Sequence, residues 1–465
     1  MSSYTNLAFI ASLAYRVVSL SLPPLRPSIP DAAEPVSSKV GELLVRHEPP
    51  PPLDSPPFQC DKSIKPGKIG YFWTGSGDKS YKDFLATYSL DDDTFGELLW
   101  VTDVPTGGNE PHHLGISSDG KTLVGGGLLS LLSAQDTAFY FDVTDPYQPN
   151  FKKSNQPSLS AVTDEFWAKP GGGFFITQMG SALGTSPGRL VETDAEFNIV
   201  HEWPEDADGT ANILGEQFSP HGLCVDIEKN IILTSDFVVP ASILKPTSGV
   251  EFADTLRLWE LSSRRIISTI TIPDGGGIQD VKFIPGNPES AAIATAIHLG
   301  QVWVIYPFRK DADGNQGVAE LLFDLGPKAR DVVAMYTSLT QDGRFLYLTL
   351  TTANHVAALD ITDLNNVKRL DDPDEEQPIV SPHYVKVTPD QKHLLMIDYF
   401  VQTGDIGVVN IPADYKVLYL DINDDGSLSF NRTIDFVGDF AGRGGAKPHS
   451  AVIFDLTDPE NPLYY

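Results

Sequence analysis

From Lys68 to the C-terminus, apolar and polar positions alternate in short runs separated by polar turns. GYFWTG, DFLATYSL and ELLWVTDV come first, split by turns such as DDDTFG. Alternation with a period of two is the mark of half-buried β-strands. Long stretches with helical periodicity are scarce. The pattern predicts only two short helical pieces, near Gly127–Ala134 and near Ala241–Leu244. The chain therefore reads as all-β.

The runs repeat. Pro-His occurs four times, at Pro111-His112, Pro220-His221, Pro382-His383 and Pro448-His449, and each opens an alternating apolar run. In the first three, a polar turn then leads into a second apolar run, which is the outline of a β-hairpin. Aligning the remaining hairpins by their turns places Asp164-Glu165, Gln279 and Met335 at equivalent positions. The marks at 112, 164, 221, 279, 335, 383 and 449 are separated by 52, 57, 58, 56, 48 and 66 residues. Seven units of this length, each with several strands, predict a seven-bladed β-propeller. The near copies FDVTDPYQP, LDITDLNNV and FDLTDPENP each read as a strand ending in an Asp-rich turn. Only one core strand, PHSAVIF, follows the last long interval, and three strands precede the first unit. Ring closure is therefore expected to pair the C-terminal strand with N-terminal strands in one blade, which removes open sheet edges.

Composition divides the chain and excludes some functions. Eleven prolines between Pro23 and Pro57 make residues 1–57 a Pro-rich arm that can continue neither a helix nor a central strand, leaving 58–465 for the propeller. The net charge of −29, with no clustered Lys or Arg, argues against nucleic acid as a partner. Two cysteines, Cys60 and Cys224, make neither a disulfide framework nor a zinc motif, which favours a cytoplasmic location. LAFIASLAY near the N-terminus lacks a preceding basic residue; it is a weak signal-like segment, and secretion is the alternative. No run reaches the length of a membrane-spanning helix. The oligomeric state is not encoded in any of these features.

The repeated histidine changes the picture most. The first strand of each propeller blade lines the central channel, so equivalent positions on different blades converge there. His112, His221, His383 and His449 are thus expected to meet as four neutral imidazoles. Such a set suits a transition metal such as Cu, Fe or Zn and is unlike the oxygen cages of Mg or Ca. Asp164, Gln279 and Met335 indicate that the fold tolerates other residues at this place. Neighbouring strand residues point to opposite faces, so His113 should not share the axis with His112 unless the strand is bulged. Glu165 and Asp164 are candidates to orient an imidazole or to ligate directly. His47, His201, His298, His355 and His393 fall outside the register and read as structural. Phe166, Trp167, Phe237 and Tyr399 are candidate channel walls. No serine-hydrolase elbow and no dinucleotide fingerprint is present, and Cys224 reads as core packing.

GYFWTGSGDKSYKDFLATYSLD, NEPHHLGIS with its paired histidines, YFDVTDPYQP and the terminal PHSAVIF together resemble the selenium-binding protein / methanethiol oxidase family. The resemblance spans roughly residues 65–465. It implies a seven-bladed propeller with a histidine-held copper, and oxidation of methanethiol by O2 to formaldehyde, hydrogen sulfide and hydrogen peroxide. His112, His113 and His449 match the family's histidines. Glu165 stands where the family has a further ligand, His221 and His383 are additional, and no selenium-associated cysteine lies near Tyr71–Gly75. Four histidines on four blades are also similar to the iron site of carotenoid-cleaving oxygenases. The expectation is a Cu- or Fe-dependent oxidase or oxygenase acting on a small thiol or other small organic substrate with O2. His112, His221, His383 and His449 would be its ligands, with Glu165 and His113 as catalytic groups. A lactonase-type propeller hydrolase and a non-enzymatic binding scaffold are the alternatives.

Overall fold

The computed structural model describes residues 51–56, 58, 60, 62–205, 217–240, 242, 250–402 and 411–465. Up to residue 50 the expected Pro-rich arm lies outside them, as does most of the short helix expected near Ala241–Leu244. Contacts divide the chain into Met1–Pro51 and Pro52–Tyr465, and the second unit is the propeller.

Seven antiparallel sheets make a seven-bladed β-propeller. In chain order the innermost strands are Pro111–Ile116, Ser160–Ala168, Pro220–Asp226, Ile278–Phe283, Thr337–Leu339, Tyr384–Val387 and Ala446–Asp455. These define blades one to seven. Six blades have four strands each, and the seventh has five. There Ala446–Asp455 pairs with Lys68–Ser76, which continues outward through Phe84–Ser89 and Leu98–Asp103. Closure by terminal strands is thus as the sequence implied. A short last strand, Leu463–Tyr464, pairs with the far side of Ala446–Asp455.

Large apolar side chains on strand faces fill the spaces between blades, where burial from water is the main stabilising term. Tyr140, Phe166, Phe174 and Phe197 pack together between blades one and two. Trp73 and Tyr71 of blade seven pack with Phe139, Phe141 and Val143 of blade one. The short helical piece expected near Gly127–Ala134 is a single 3-10 turn, Ser130–Ser133.

The Asp-rich turns are side-chain caps. Asp142, Asp360 and Asp455 accept the backbone N–H two residues on, at 2.9, 3.0 and 3.0 Å. The first two end the third strand of a blade, whereas Asp455 ends the innermost strand of the closing blade. The repeated phrase therefore marks strand ends and not one fixed place in the blade.

A candidate metal centre in the propeller channel

The innermost strands carry a shared irregularity. Pro111 pairs with Gly127 and Leu114 with Gly125, so His112 and His113 together oppose the single residue Gly126. This is a β-bulge. The same two-against-one arrangement sets Asp164-Glu165 against Thr177, His221-Gly222 against Ser235 and Gln279-Asp280 against Thr295. In the closing blade His449 is the extra residue, lying between Pro448 and Ser450 where their partners Thr74 and Trp73 are adjacent. The bulge lets successive side chains share the channel, and His112 and His113 are both buried there with rings stacked at 4.6 Å. The sequence reading allowed for such a bulge without predicting it.

The bulges are held by hydroxyls that sequence reasoning missed. Thr177, Ser235, Thr295 and Thr349 each accept the N–H of the second bulge-position residue of their own blade, namely Glu165, Gly222, Asp280 and Tyr336. Each then donates to the carbonyl of the first, marked residue in the next blade: His221, Gln279, Met335 and His383. Ser450 donates to the His112 carbonyl at 2.6 Å and continues the linkage across the ring closure. The signal in the sequence is a Ser or Thr in the second apolar run of four of the hairpins, at Thr177, Ser235, Thr295 and Thr349. Such residues are too common in strands to stand out.

Around the channel the marked positions follow blade order. His383, His449 and His112 come from three consecutive blades. The rings of His112 and His449 lie 3.9 Å apart, and those of His383 and His449 lie 4.6 Å apart. With His113 these make a compact four-histidine group, each offering one nitrogen within 4.8 Å of the others. His221 stands apart from that group and joins His112 and Asp164 in a second one. Asp164 bridges the two. Its Oδ2 lies 3.3 Å from His112 Nε2 and 3.0 Å from His221 Nε2, and its Oδ1 lies 3.1 Å from His113 Nδ1. The four histidines expected to meet do line one channel, but His113 stands closer to three of them than His221 does. Gln279 and Met335 complete the ring and are buried. The Gln279 side-chain carbonyl accepts the Met335 N–H.

The electrostatics favour neutral rings. Burial pushes His112 down to about 4, against the pull of Asp164. Burial and the neighbouring rings hold His383 and His449 well below the ordinary histidine range. Burial also acts to lower His113, but Asp164 and Glu165 together outweigh it and raise the ring. Burial alone would raise Asp164; the surrounding histidines His221, His113 and His112 instead keep its carboxyl well below the usual range.

The test of a metal is whether these atoms are otherwise satisfied, and they are not. Ten buried polar atoms lack a hydrogen-bond partner: Nδ1 of His112 and His221, both ring nitrogens of His113, His383 and His449, and both oxygens of Asp164. The contacts of Asp164 with imidazoles are short but poorly aligned for hydrogen bonds. Each orphaned buried group costs about 1–3 kcal/mol, and an unplaced ion is one recognised reason for such a cluster. The donor set of imidazole nitrogens and one carboxylate suits Zn, Cu or Fe. A buried group of histidines that could hold a metal ion is therefore present.

On one side of the histidines lies a polar layer. Glu165 Oε2 is 3.5 Å from His113 Nδ1 and accepts a hydrogen bond from the Tyr336 hydroxyl. Tyr336 stacks against Tyr384, and Lys282 sits 3.9 Å over the Tyr336 ring while pairing with Asp280 at 2.5 Å. Burial, then Glu165, hold the Tyr336 phenol well above its ordinary value, so it remains a donor. Another side, next to His112, Asp164 and His221, opens into an apolar cavity. Of the expected channel walls, Phe237 lines that cavity and packs edge-on against His221 at 4.9 Å. Tyr399 meets His449 edge-on at 6.1 Å and donates to Glu110. Phe166 packs in the core between blades, and Trp167 stacks on Phe175 of its own blade.

His201, His298, His355 and His393 lie outside the centre, paired with Glu205, Asp331, Asp371 and Asp390. Cys60 and Cys224 are both free thiols.

No family model and no curated protein sequence matches this chain. Among solved structures it is similar to a hypothetical selenium-binding protein from Sulfolobus tokodaii. That match has 16% identity and a TM-score of 0.67, covering 84% of this chain and 94% of that one. A candidate 6-phosphogluconolactonase from Bacteroides fragilis matches at 12% identity and TM-score 0.54, over 83% of this chain and 97% of its own. The periplasmic gluconolactonase of Pseudomonas aeruginosa matches at 13% identity and TM-score 0.51, over 79% and 96%. Likeness at these identities is a likeness of fold. Among the described residues no helix is long and apolar enough to cross a membrane.

Proposed function

We propose that this chain is a metal-dependent oxidase or oxygenase acting on a small organic substrate with O2, with Cu or Fe held in the propeller channel. The observation that carries the reading is the set of ten unpartnered nitrogen and oxygen atoms converging from consecutive blades. His112, His383 and His449 are the core of the ligand set. Geometry favours His113 as the fourth imidazole and gives His221 to the adjoining position beside Asp164. When bound, the metal would supply one-electron redox chemistry and a Lewis-acidic position for O2 or a substrate heteroatom.

The protein's own groups have separable tasks. Depressed basicity keeps His112, His383 and His449 neutral near pH 7, with lone pairs free. Asp164 stays ionised and offsets positive charge in a buried site. Glu165 is the proton carrier. It reaches His113 on one side and Tyr336 on the other. Its side chain is 16% exposed against 1% for His113, so it links the buried imidazole to water. Small thiols are the first substrates to test, on the strength of the sequence resemblance.

The test is element-resolved metal content of protein produced with Cu and Fe supplied. About one equivalent is expected in the wild type, with loss in His112→Ala, His383→Ala and His449→Ala and a weaker effect in His221→Ala. Far less than one equivalent in the wild type sinks the proposal. Turnover that persists without O2 would favour the hydrolase alternative, in which the metal acts only as a Lewis acid.

A further inference from the structure

The apolar cavity beside His112, Asp164 and His221 has a volume of about 110 Å³. Its walls include Leu128, Leu129, Met179, Phe237, Val333 and Phe400, and among its described lining residues there is no Lys or Arg. Among its described lining residues the only polar side chains are those three candidate ligands. A concave apolar space facing a polar cluster at one end is the form of a small-molecule site.

The backbone adds an independent argument. Five blades enter their marked position through a left-handed residue two places earlier. These are Glu110 (φ 54), Val162 (φ 68), Gly277 (φ 62), Val333 (φ 70) and Ser381 (φ 48). Glycine takes this conformation without cost. A β-branched residue there is a true outlier, costing about 1–3 kcal/mol. Yet two of the five are valines, and both line the cavity. Glycine at these positions would satisfy the backbone but lose the cavity wall and its packing against the core. The strained isopropyl groups therefore point to a role for the wall itself.

We infer that this cavity is the substrate chamber and that its ligand is a neutral, apolar molecule with one small polar end toward His112 and Asp164. By proportion with a cavity of about 150 Å³ that accepts benzene, it holds roughly four carbon atoms. Anions are disfavoured by desolvation next to the Asp164 carboxylate. A sugar lactone would leave its hydroxyls unpaired against Leu, Val and Phe, which sets this chamber apart from what the gluconolactonase neighbours' names describe. That the chamber serves catalysis rests on the metal reading above; that it binds apolar molecules does not.

The experiment is calorimetric titration of the full chain, stripped of metal with a chelator, with straight-chain 1-alkanols from methanol to 1-octanol. Affinity should rise about fourfold per methylene until the chamber is full, then level off. Val333→Gly removes a wall group, and the relieved φ offsets part of the lost packing, so it should still fold and should move the break to a longer alcohol. Met179→Gln, close in size, should lower the gain per methylene. Affinities that do not grow with chain length, or a break unmoved in Val333→Gly, overturn the inference. Metal content of the untreated protein separates the two readings. Alkanol binding without metal leaves the chamber standing and removes the oxidase; metal without chain-length dependence does the reverse.

Discussion

Replacing Thr349 by Val should show how far the hydroxyl linkage holds the candidate metal centre. Thr349 Oγ1 accepts the Tyr336 N–H at 3.0 Å and donates to the His383 carbonyl at 2.6 Å, and the residue is fully buried. Valine keeps the shape and removes both bonds. Each orphaned group costs about 1–3 kcal/mol, and the added methyl returns about 0.8 kcal/mol. A net loss of about 1–5 kcal/mol follows. With an unfolding entropy of about 2.1 cal/mol/K per residue over a propeller of roughly 400 residues, that is a fall in Tm of about 1–6 °C in calorimetry. Because His383 loses the anchor of its carbonyl, metal affinity should also fall, by about tenfold as for other outer groups of metal sites, in a chelator competition. Thr349→Ser restores the hydroxyl and should recover most of both effects. A Thr349→Val protein with wild-type Tm and wild-type metal affinity refutes the reasoning. A loss of Tm with metal affinity intact would confine the linkage to the fold.

Other outcomes follow from the same geometry. Deleting residues 456–465 removes the Leu463–Tyr464 strand and the Tyr464 ring that covers Gly120, while leaving His449 in the chain. Stability should fall by about 2–3 kcal/mol, as for one large apolar side chain, in denaturant titration, and metal retention should fall with it. For metal-free protein, the pH dependence is set by rings kept neutral. His112 falls from an unfolded value near 6.5 to about 4 when folded. Its contribution is therefore intact above pH about 6.5 and is lost as pH drops toward 4, by about 3 kcal/mol at most. His383 and His449 act in the same direction, and His113, whose ring is raised, acts against them. Urea midpoints should fall across that window and fall less in His112→Ala; a flat profile in the wild type would count against neutral buried rings.

Fold and site were legible in the sequence to different depths, for physical reasons. Pro-His marks the entry to an inner strand, where a residue without N–H is tolerated and the next side chain meets the channel. The interval between marks therefore measures a blade, and closure follows from counting strands at the two ends. What strand alternation does not carry is the bulge. By alternation alone only one of His112 and His113 faces the axis. The bulge that turns both inward depends on the strand opposite, and the hydroxyl that holds the His112 carbonyl comes from Ser450 of the closing blade. That information is non-local, so a reading of one strand at a time misses it. The strained valines and the apolar chamber were hidden for the same reason, since Val162 and Val333 belong to blades two and five and meet only in the ring.

Blade order explains why the compact group is not the one that Pro-His alone selects. Going round the ring, blades six, seven, one, two and three present His383, His449, His112-His113, Asp164 and His221, and blades four and five present Gln279 and Met335. Ligating residue types thus occupy one continuous arc. The arc includes the junction between the C-terminal strand and blade one, where the His112 and His449 rings lie 3.9 Å apart. Their neighbourhood exists only once Ala446–Asp455 has paired with Lys68–Ser76. His221 lies two blades from His112, with Asp164 of the intervening blade between them. Assembly of the four-histidine group therefore waits on the last and least local pairing of the fold, and a metal bound there would stabilise ring closure by mass action.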